Sequence, residues 1–212
     1  MASSDTKERI IEAAERLFAE SGFNGTSLRQ LTQAAQVNLA AVNYHFGSKE
    51  NLIQDVFKRR LDLLNRHRRQ DLDRLDERHD GQPPLDGVLR AFIAPALSMS
   101  ADAANGGSPF VRVLARAYVE YREELRAFLS EHYGDLNRRF FQAIARHLTH
   151  LSDEQVFLRI DFMIGALTYA MADFGVAKRP PGTGVQAFWD EATEELVRFA
   201  RAGLLAPGTG DA

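Results

Sequence analysis

Hydrophobic residues recur along nearly the whole chain at intervals of three and four, and strand-like alternation is absent, so the chain reads as all-α. Ile10, Ile11, Ala14, Leu17 and Phe18 share one face of a first helix. The capping-box spacing of Asp5 and Glu8 predicts that this helix begins after Asp5. Gly22 suits its end, with Phe23 folding back over the last turn. Ser27 with Gln30 repeats the capping box and opens a second helix, with Leu28 and Leu31 facing inward. Asn38 is placed to cap a short third helix over residues 39–45, and Gly47 to stop it. Ser48 caps a fourth helix that begins at Lys49 and extends toward His79. Its apolar stripe includes Leu52, Ile53, Val56, Phe57, Leu61, Leu64, Leu72 and Leu75.

The run Asp80-Gly81-Gln82-Pro83-Pro84 is the first strong breaker. Helical segments resume over residues 85–103, 110–130 and 132–150, the first two separated by Asn105-Gly106-Gly107-Ser108-Pro109. Ser152 with Gln155 opens a very apolar helix reaching Phe174. After a loop over residues 178–184, a final helix covers residues 185–204, and the tail 206–212 reads as disordered. The organisation this implies is a three-helix N-terminal domain over residues 1–47 and a larger helical domain over 48–212.

Composition narrows the class. A chain of 212 residues, 45% of them hydrophobic, can bury a substantial core. The absence of cysteine excludes disulfides and thiolate metal sites and fits a reducing cytoplasm. Met1–Arg9 holds no apolar signal core, and no uninterrupted apolar run reaches membrane-spanning length, so the expectation is a cytoplasmic protein with no membrane partner. The net charge of −3 is unevenly spread: between Ser21 and Lys49 there is no carboxylate, while Arg29 and Lys49 are both present. Residues 58–69 then carry Lys58, Arg59, Arg60, Arg66, Arg68 and Arg69 against Asp62 alone. This second run is either part of a nucleic-acid footprint or the solvated face of a long helix.

The segment from Thr26 to Leu52 holds the chemistry. Two short helices joined by a tight turn, the second with small and polar outward residues, then an aromatic pair and a lysine, suit a helix laid in a DNA groove. Residues 7–57 resemble the DNA-binding domain of the tetracycline-repressor (TetR/AcrR) family of bacterial transcription regulators. The resemblance rests on Leu17-Phe18-Ala19-Glu20-Ser21-Gly22-Phe23, on Thr26-Ser27-Leu28-Arg29-Gln30-Leu31, and on Val42 to Leu52. Two positions depart from the family pattern: Gln36 stands where glycine is common, and Asn43 where an aromatic is common. Residues 37–46 and 53–60 are similar to the subgroup of fatty-acid-responsive PsrA-like regulators.

Each candidate has a chemical role. Thr26 and Ser27, at a helix start, offer N–H groups and hydroxyls to phosphate. Arg29 can reach a base edge or phosphate, or remain a solvated arginine. Leu39, Ala40 and Ala41 let the backbone approach the groove and can touch thymine methyls, and Asn43 can pair bidentately with adenine. Tyr44 and His45 can donate to phosphates, or one of them can pack under the domain, whereas Phe46 reads as core. Lys49 places a charge against the same backbone.

The region 88–174 is rich in large soft side chains. Each taken singly suits an ordinary core, but together they suit an apolar ligand cavity between helices. The candidate lining is Phe92, Phe110, Leu114, Tyr118, Phe128, Phe141, Phe162 and Met163, with Arg112, Arg116 and Arg122 available either to an acidic head group or to solvent. The resemblance implies a small hydrophobic effector, a long-chain fatty acid or its coenzyme A thioester, that releases operator DNA. Another effector class, aromatic or drug-like, is the alternative. The last two helices suit a homodimer interface, where Gly165, Ala166, Ala170 and Ala172 permit close approach and Phe188, Trp189, Leu196, Val197 and Phe199 supply apolar faces. A pair would read two half-sites of double-stranded operator DNA.

No cofactor or metal is implied, and an enzyme reading finds little footing. His147 and His150 with Glu154 lack a third ligand at fixed spacing, Asp161 and Asp173 are too far apart in sequence to act as neighbours, and Gly182-Thr183-Gly184 lacks the strand and lysine of a phosphate loop. An all-helical protein-binding adaptor is the remaining rival, opposed by the carboxylate-free stretch around Arg29 and Lys49.

Overall fold

The computed structural model describes residues 2–101, 107–172 and 184–208. Among these residues the order is α1 (Ala2–Gly25), α2 (Leu28–Ala35), α3 (Leu39–Phe46), α4 (Lys49–Arg78), α5 (Leu85–Ala101), α6 (Gly107–Glu120), α7 (Arg122–Ala145), α8 (Asp153–Ala172) and α9 (Val185–Leu205). The all-α expectation is met. Packing divides the chain into two units, residues 1–63 with 106–132 and residues 64–105 with 133–212, so the division falls inside α4 and inside α7. The N-terminal unit therefore extends past residue 47.

In the first unit α1 packs on α2, α3 and α6. Its stripe of Ile10, Ile11, Ala14 and Phe18 is buried, as the 3.6-residue period requires. Phe23 sits at the centre of an aromatic cluster, with ring centroids 5.1 Å from Phe18, 6.1 Å from Phe57 and 5.3 Å from Tyr121. Phe57 continues the cluster to Phe128 at 5.6 Å. In the second unit α5 packs on α8 and α9, and α8 on α9. Val88, Leu89, Ile93 and Leu97 of α5 meet a core that includes Met163, Leu167, Trp189 and Val197.

Several boundaries differ from expectation for physical reasons. α1 begins at Ala2, so Asp5 lies inside the helix rather than capping it. Glu8 is drawn instead to Arg59 on α4. The helix predicted over 110–130 breaks at Tyr121, where no glycine or proline marks the break. His147 and His150 lie in the turn after α7, not on a helix. Their Nε2 atoms lie 3.0 Å from the Pro83 carbonyl and 3.2 Å from the Ala206 carbonyl, which gives each a backbone partner. Among the described residues no cluster of three or more histidine, aspartate or glutamate side chains could hold a metal. Asp173, the 178–183 loop and residues 209–212 of the tail lie outside the described residues.

α8 is long and apolar enough to cross a membrane by length and composition. Its stripe of Val156, Ile160, Met163, Leu167 and Met171 is nevertheless buried, and its first half carries Arg159, whose guanidinium donates to the carbonyls of Leu204, Ala206 and Pro207. Arg159 held in this way and the buried stripe pack one side of α8 within the second unit, while Leu158, Phe162 and Tyr169 on its other side are exposed.

A candidate nucleic-acid interface

The second and third helices are locked by their own caps. Ser27 accepts from the Gln30 N–H at 3.2 Å, while the Gln30 side chain accepts from the Ser27 N–H at 2.8 Å, closing the predicted capping box. Asn38 caps α3 by accepting from the Ala41 N–H at 2.8 Å. The turn between them reverses at Gln36, which adopts the left-handed conformation (φ 53°, ψ 47°). The Val37 N–H then reaches the Thr32 carbonyl at 3.0 Å, a Schellman ending of the kind glycine usually makes. The departure from glycine at this position therefore leaves a left-handed turn and adds strain.

Distant side chains fasten this frame. Arg9 on α1 donates to the Ala35 and Gln36 carbonyls at 2.6 and 2.9 Å, holding the turn from behind. Gly22 breaks α1 with φ 76° and ψ 174°. Arg116 on α6 donates to the Ala19 and Glu20 carbonyls at 3.1 and 3.0 Å, satisfying orphan acceptors of that break. Glu120, one turn on, accepts from the Phe23 N–H at 2.9 Å and from Arg116 at 3.2 Å. No local pattern marks Arg9, Arg116 or Glu120, because each acts on backbone 26 to 97 positions away.

Within this frame α3 buries Val42 and Phe46 and turns its other side outward. Leu39 is half exposed, Ala40 and Asn43 are exposed, and Tyr44 is 83% exposed; Ala41 and His45 are intermediate. His45 packs edge-on to Tyr44 at 5.1 Å. Ser27 and Arg29 are exposed at the start of α2. The structure thus brings Leu39, Ala40, Ala41, Asn43, Tyr44 and His45 together on one short rod.

Two predicted phosphate ligands have other work. Thr26 is buried, and its hydroxyl donates to the Gly22 carbonyl at 2.8 Å, so it closes the end of α1 and does not face outward. The Lys49 ammonium donates to the Phe23 and Thr26 carbonyls at 2.6 and 2.5 Å, where it ties α4 to the same junction. The basic run 58–69 is likewise engaged in large part. Arg59 contacts Glu8, Glu12 and Glu15, and Arg60 pairs with Glu15 at 3.0 Å. Arg68 is buried over the Phe92 ring at 3.7 Å and donates to the Phe92 carbonyl. Of that run, Arg66 and Arg69 are exposed.

The candidate effector lining is drawn from both units. Phe110, Leu114, Tyr118 and Phe128 belong to the first unit, and Phe92, Phe141, Phe162 and Met163 to the second. Phe92, Phe110, Leu114, Phe128 and Met163 are core residues, Phe141 is intermediate, and Tyr118 and Phe162 point outward at 41% and 68% exposure. Arg116 is committed to α1, while Arg112 and Arg122 are exposed.

Comparison with known proteins agrees with this geometry. Residues 10–56 match the family model for bacterial regulatory proteins of the tetR family, and residues 90–203, more than half of the chain, match that for the tetracyclin repressor-like C-terminal domain. The chain is 45% identical over 51 residues to the probable HTH-type transcriptional regulator YttP of Bacillus subtilis, a match covering 24% of this chain and 25% of that protein. It is 41% identical over 49 residues to the HTH-type transcriptional repressor AcnR of Corynebacterium glutamicum, covering 23% and 26% respectively. The chain thus spans about a quarter of the length of the curated relatives it matches. A tetR-family transcription regulator from Shewanella sp. PV-4 has a similar fold, with a TM-score of 0.65 and 20% identity over 92% of this chain and 97% of that one. With helix-turn-helix and C-terminal region both matched, the chain belongs to the tetR family of bacterial regulators.

Proposed function

We propose that the chain is a sequence-specific transcription regulator that binds operator DNA in the cytoplasm as a homodimer, with α3 as its reading helix. The observation that carries this is the outward face of α3, where exposed Ala40, Asn43 and Tyr44 stand on a helix whose caps and inner face are fully used. Small residues let the backbone close on the groove, Asn43 offers a bidentate pair to adenine, and Ser27, Arg29, Tyr44 and His45 flank it as phosphate donors. Lys49 and Thr26 support this surface by fixing the junction behind it.

One such helix reads few bases, and a two-fold pair would read half-sites about 34–36 Å apart or a multiple of this. The apolar outer stripe of α8 supports pairing: Leu158, Phe162, Gly165 and Tyr169 follow one another at four, three and four residues and are all exposed. Phe199 on α9 is 66% exposed as well. The outward Phe162 serves this face better than a ligand pocket.

The regulatory reading is repression relieved by a small hydrophobic acid, a fatty acid or acyl-coenzyme A, supported by the similarity of residues 37–46 and 53–60 to fatty-acid-responsive regulators. A mobility shift on the DNA upstream of the gene, repeated with a panel of acyl compounds, tests both parts. Specific retardation lost on adding acyl compounds is the expected result. Retardation unaffected by every chain length rejects the effector, and no specific retardation of any fragment rejects the regulator.

A further inference from the structure

α3 is eight residues long and buries only Val42 and Phe46, so its direction depends on how its ends are tied. Its far end is tied to α1 by Lys7, whose ammonium lies 5.5 Å from the Phe46 ring centroid and pairs with Asp55 of α4 at 2.8 Å. Its near end follows Val37, which stands between the left-handed Gln36 and the Asn38 cap. Two positions along α1 from Lys7, half-buried Arg9 places one nitrogen, Nη2, 2.6 Å from the Ala35 carbonyl and 2.9 Å from the Gln36 carbonyl. These are orphan acceptors of the α2 terminus, and α2 has no basic residue of its own in its last turn. The helix dipole favours a cation at that end, and here a different helix supplies it.

We propose that Arg9 is a positioning residue for sequence reading: it touches no DNA, and by holding the turn at Gln36 it sets the angle at which α3 meets the groove. This rests on α3 being the reading helix. The left-handed conformation is disfavoured for a residue with a Cβ, and Gln36 adopts it at φ 53°. Glycine would hold such a turn unaided, since it takes positive φ about as readily as negative. Glutamine holds it with the two charge-assisted bonds from Arg9. Without them the backbone at Gln36 is free to leave the left-handed region. The start of α3, which carries exposed Leu39 and Ala40, then shifts while Phe46 stays anchored. Bidentate pairing to a base edge, as from Asn43, fails when geometry is poor, whereas phosphate contacts carry no sequence information.

The test uses the full-length protein, a duplex that it selects from a random-sequence library, and a scrambled duplex of equal length. Arg9→Ala should lower the ratio of the two affinities about tenfold, within the range a lost base contact carries, and leave the salt slope unchanged. Both affinities fall together when only the folded fraction falls, so the ratio separates position from stability. Arg9→Lys should keep most of the ratio, because an ammonium can serve two carbonyls as Lys49 does. Gln36→Gly should restore the ratio in the Arg9→Ala background. Hydrogen exchange without DNA should be faster in Arg9→Ala at the Val37 and Ala41 N–H groups, which the turn and the Asn38 cap hold, and should return to the parent rate once Gln36→Gly is added.

An undiminished ratio in Arg9→Ala overturns the proposal, as does a salt slope lowered by about one unit, which marks a phosphate contact. Failure of Gln36→Gly to restore the ratio overturns it too. A parent that prefers neither duplex defeats the reading helix on its own account, and the exchange rates then decide alone: unchanged rates in Arg9→Ala remove its hold on the turn, and faster rates uphold it.

Discussion

Gly22 and Gln36 both hold positive φ, and the structure demands opposite outcomes from changing them. A Cβ on Gly22 would lie 2.6 and 2.8 Å from the Glu120 carboxylate oxygens and 3.0 Å from an Arg116 nitrogen. The backbone there, φ 76° and ψ 174°, lies in a region that is essentially confined to glycine and costs about 1–3 kcal/mol for other residues. Displacing Glu120 also removes its charge-assisted bond from the Phe23 N–H, worth about 1.5–3 kcal/mol. Gly22→Ala should therefore cost about 3–5 kcal/mol, a large part of the 5–15 kcal/mol typical of a whole domain. Gln36 already bears a side chain at φ 53° and its surroundings tolerate one. Gln36→Gly removes the left-handed penalty, set at about 1–2 kcal/mol, and gives back part of it as unfolded-chain entropy, leaving a gain of up to about 1 kcal/mol. Urea unfolding followed by circular dichroism measures both. In the Glu120→Ala background, Gly22→Ala should cost only the conformational share. Loss below about 1 kcal/mol for Gly22→Ala, or an undiminished loss in the Glu120→Ala background, would refute the clamp; loss of stability in Gln36→Gly would refute the strain at the turn.

Other consequences are measurable. Arg29→Ala should lower the salt slope of DNA binding by about one unit and leave the unfolding midpoint unchanged, while Lys49→Ala should lower the midpoint; the reverse pairing in filter binding and thermal melts would exchange their roles. Asn43→Ala should relax preference at particular bases by about 1–3 kcal/mol, read as unequal losses across a set of operator variants. Phe162→Glu should leave the protein folded and monomeric in sedimentation at micromolar concentration, where the parent should sediment as a dimer. The Glu50 carboxyl is lowered in the folded state by its own N–H and the Ser48 hydroxyl, so the stability it lends is present above the ordinary carboxylate pKa and lost as pH falls through the lowered one. Acid unfolding should accordingly begin at higher pH in Ser48→Ala, and an unchanged profile would count against that hydroxyl.

What was legible in the chain was local. The Ser27–Gln30 and Ser152–Gln155 capping boxes, the Asn38 cap and the turns at Gly22 and Gly47 depend on residues within four positions of one another, and the structure contains them all. The outward face of α3 followed from its period. The errors are tertiary. The Asp5–Glu8 box yielded to a helix that continues past it, and the break at Tyr121 has no local punctuation. Lys49 and Thr26 have the right chemistry for phosphate, but both are drawn to carbonyls left open by the Gly22 break, and that demand appears once α1 and α4 meet. The apolar residues of 88–174 were identified as hydrophobic, yet sequence period could not say that they divide between two cores and an open face.

The zipper between Glu8, Glu12 and Glu15 on α1 and Arg59 and Arg60 on α4 bears on how such a molecule would search a chromosome. Guanidinium groups already neutralised within the fold release no counterions when they meet a duplex, so non-specific attachment should be weak and brief. Dwell time on irrelevant sequence would be short, and occupancy of the true site would depend on base contacts and on two copies engaging together.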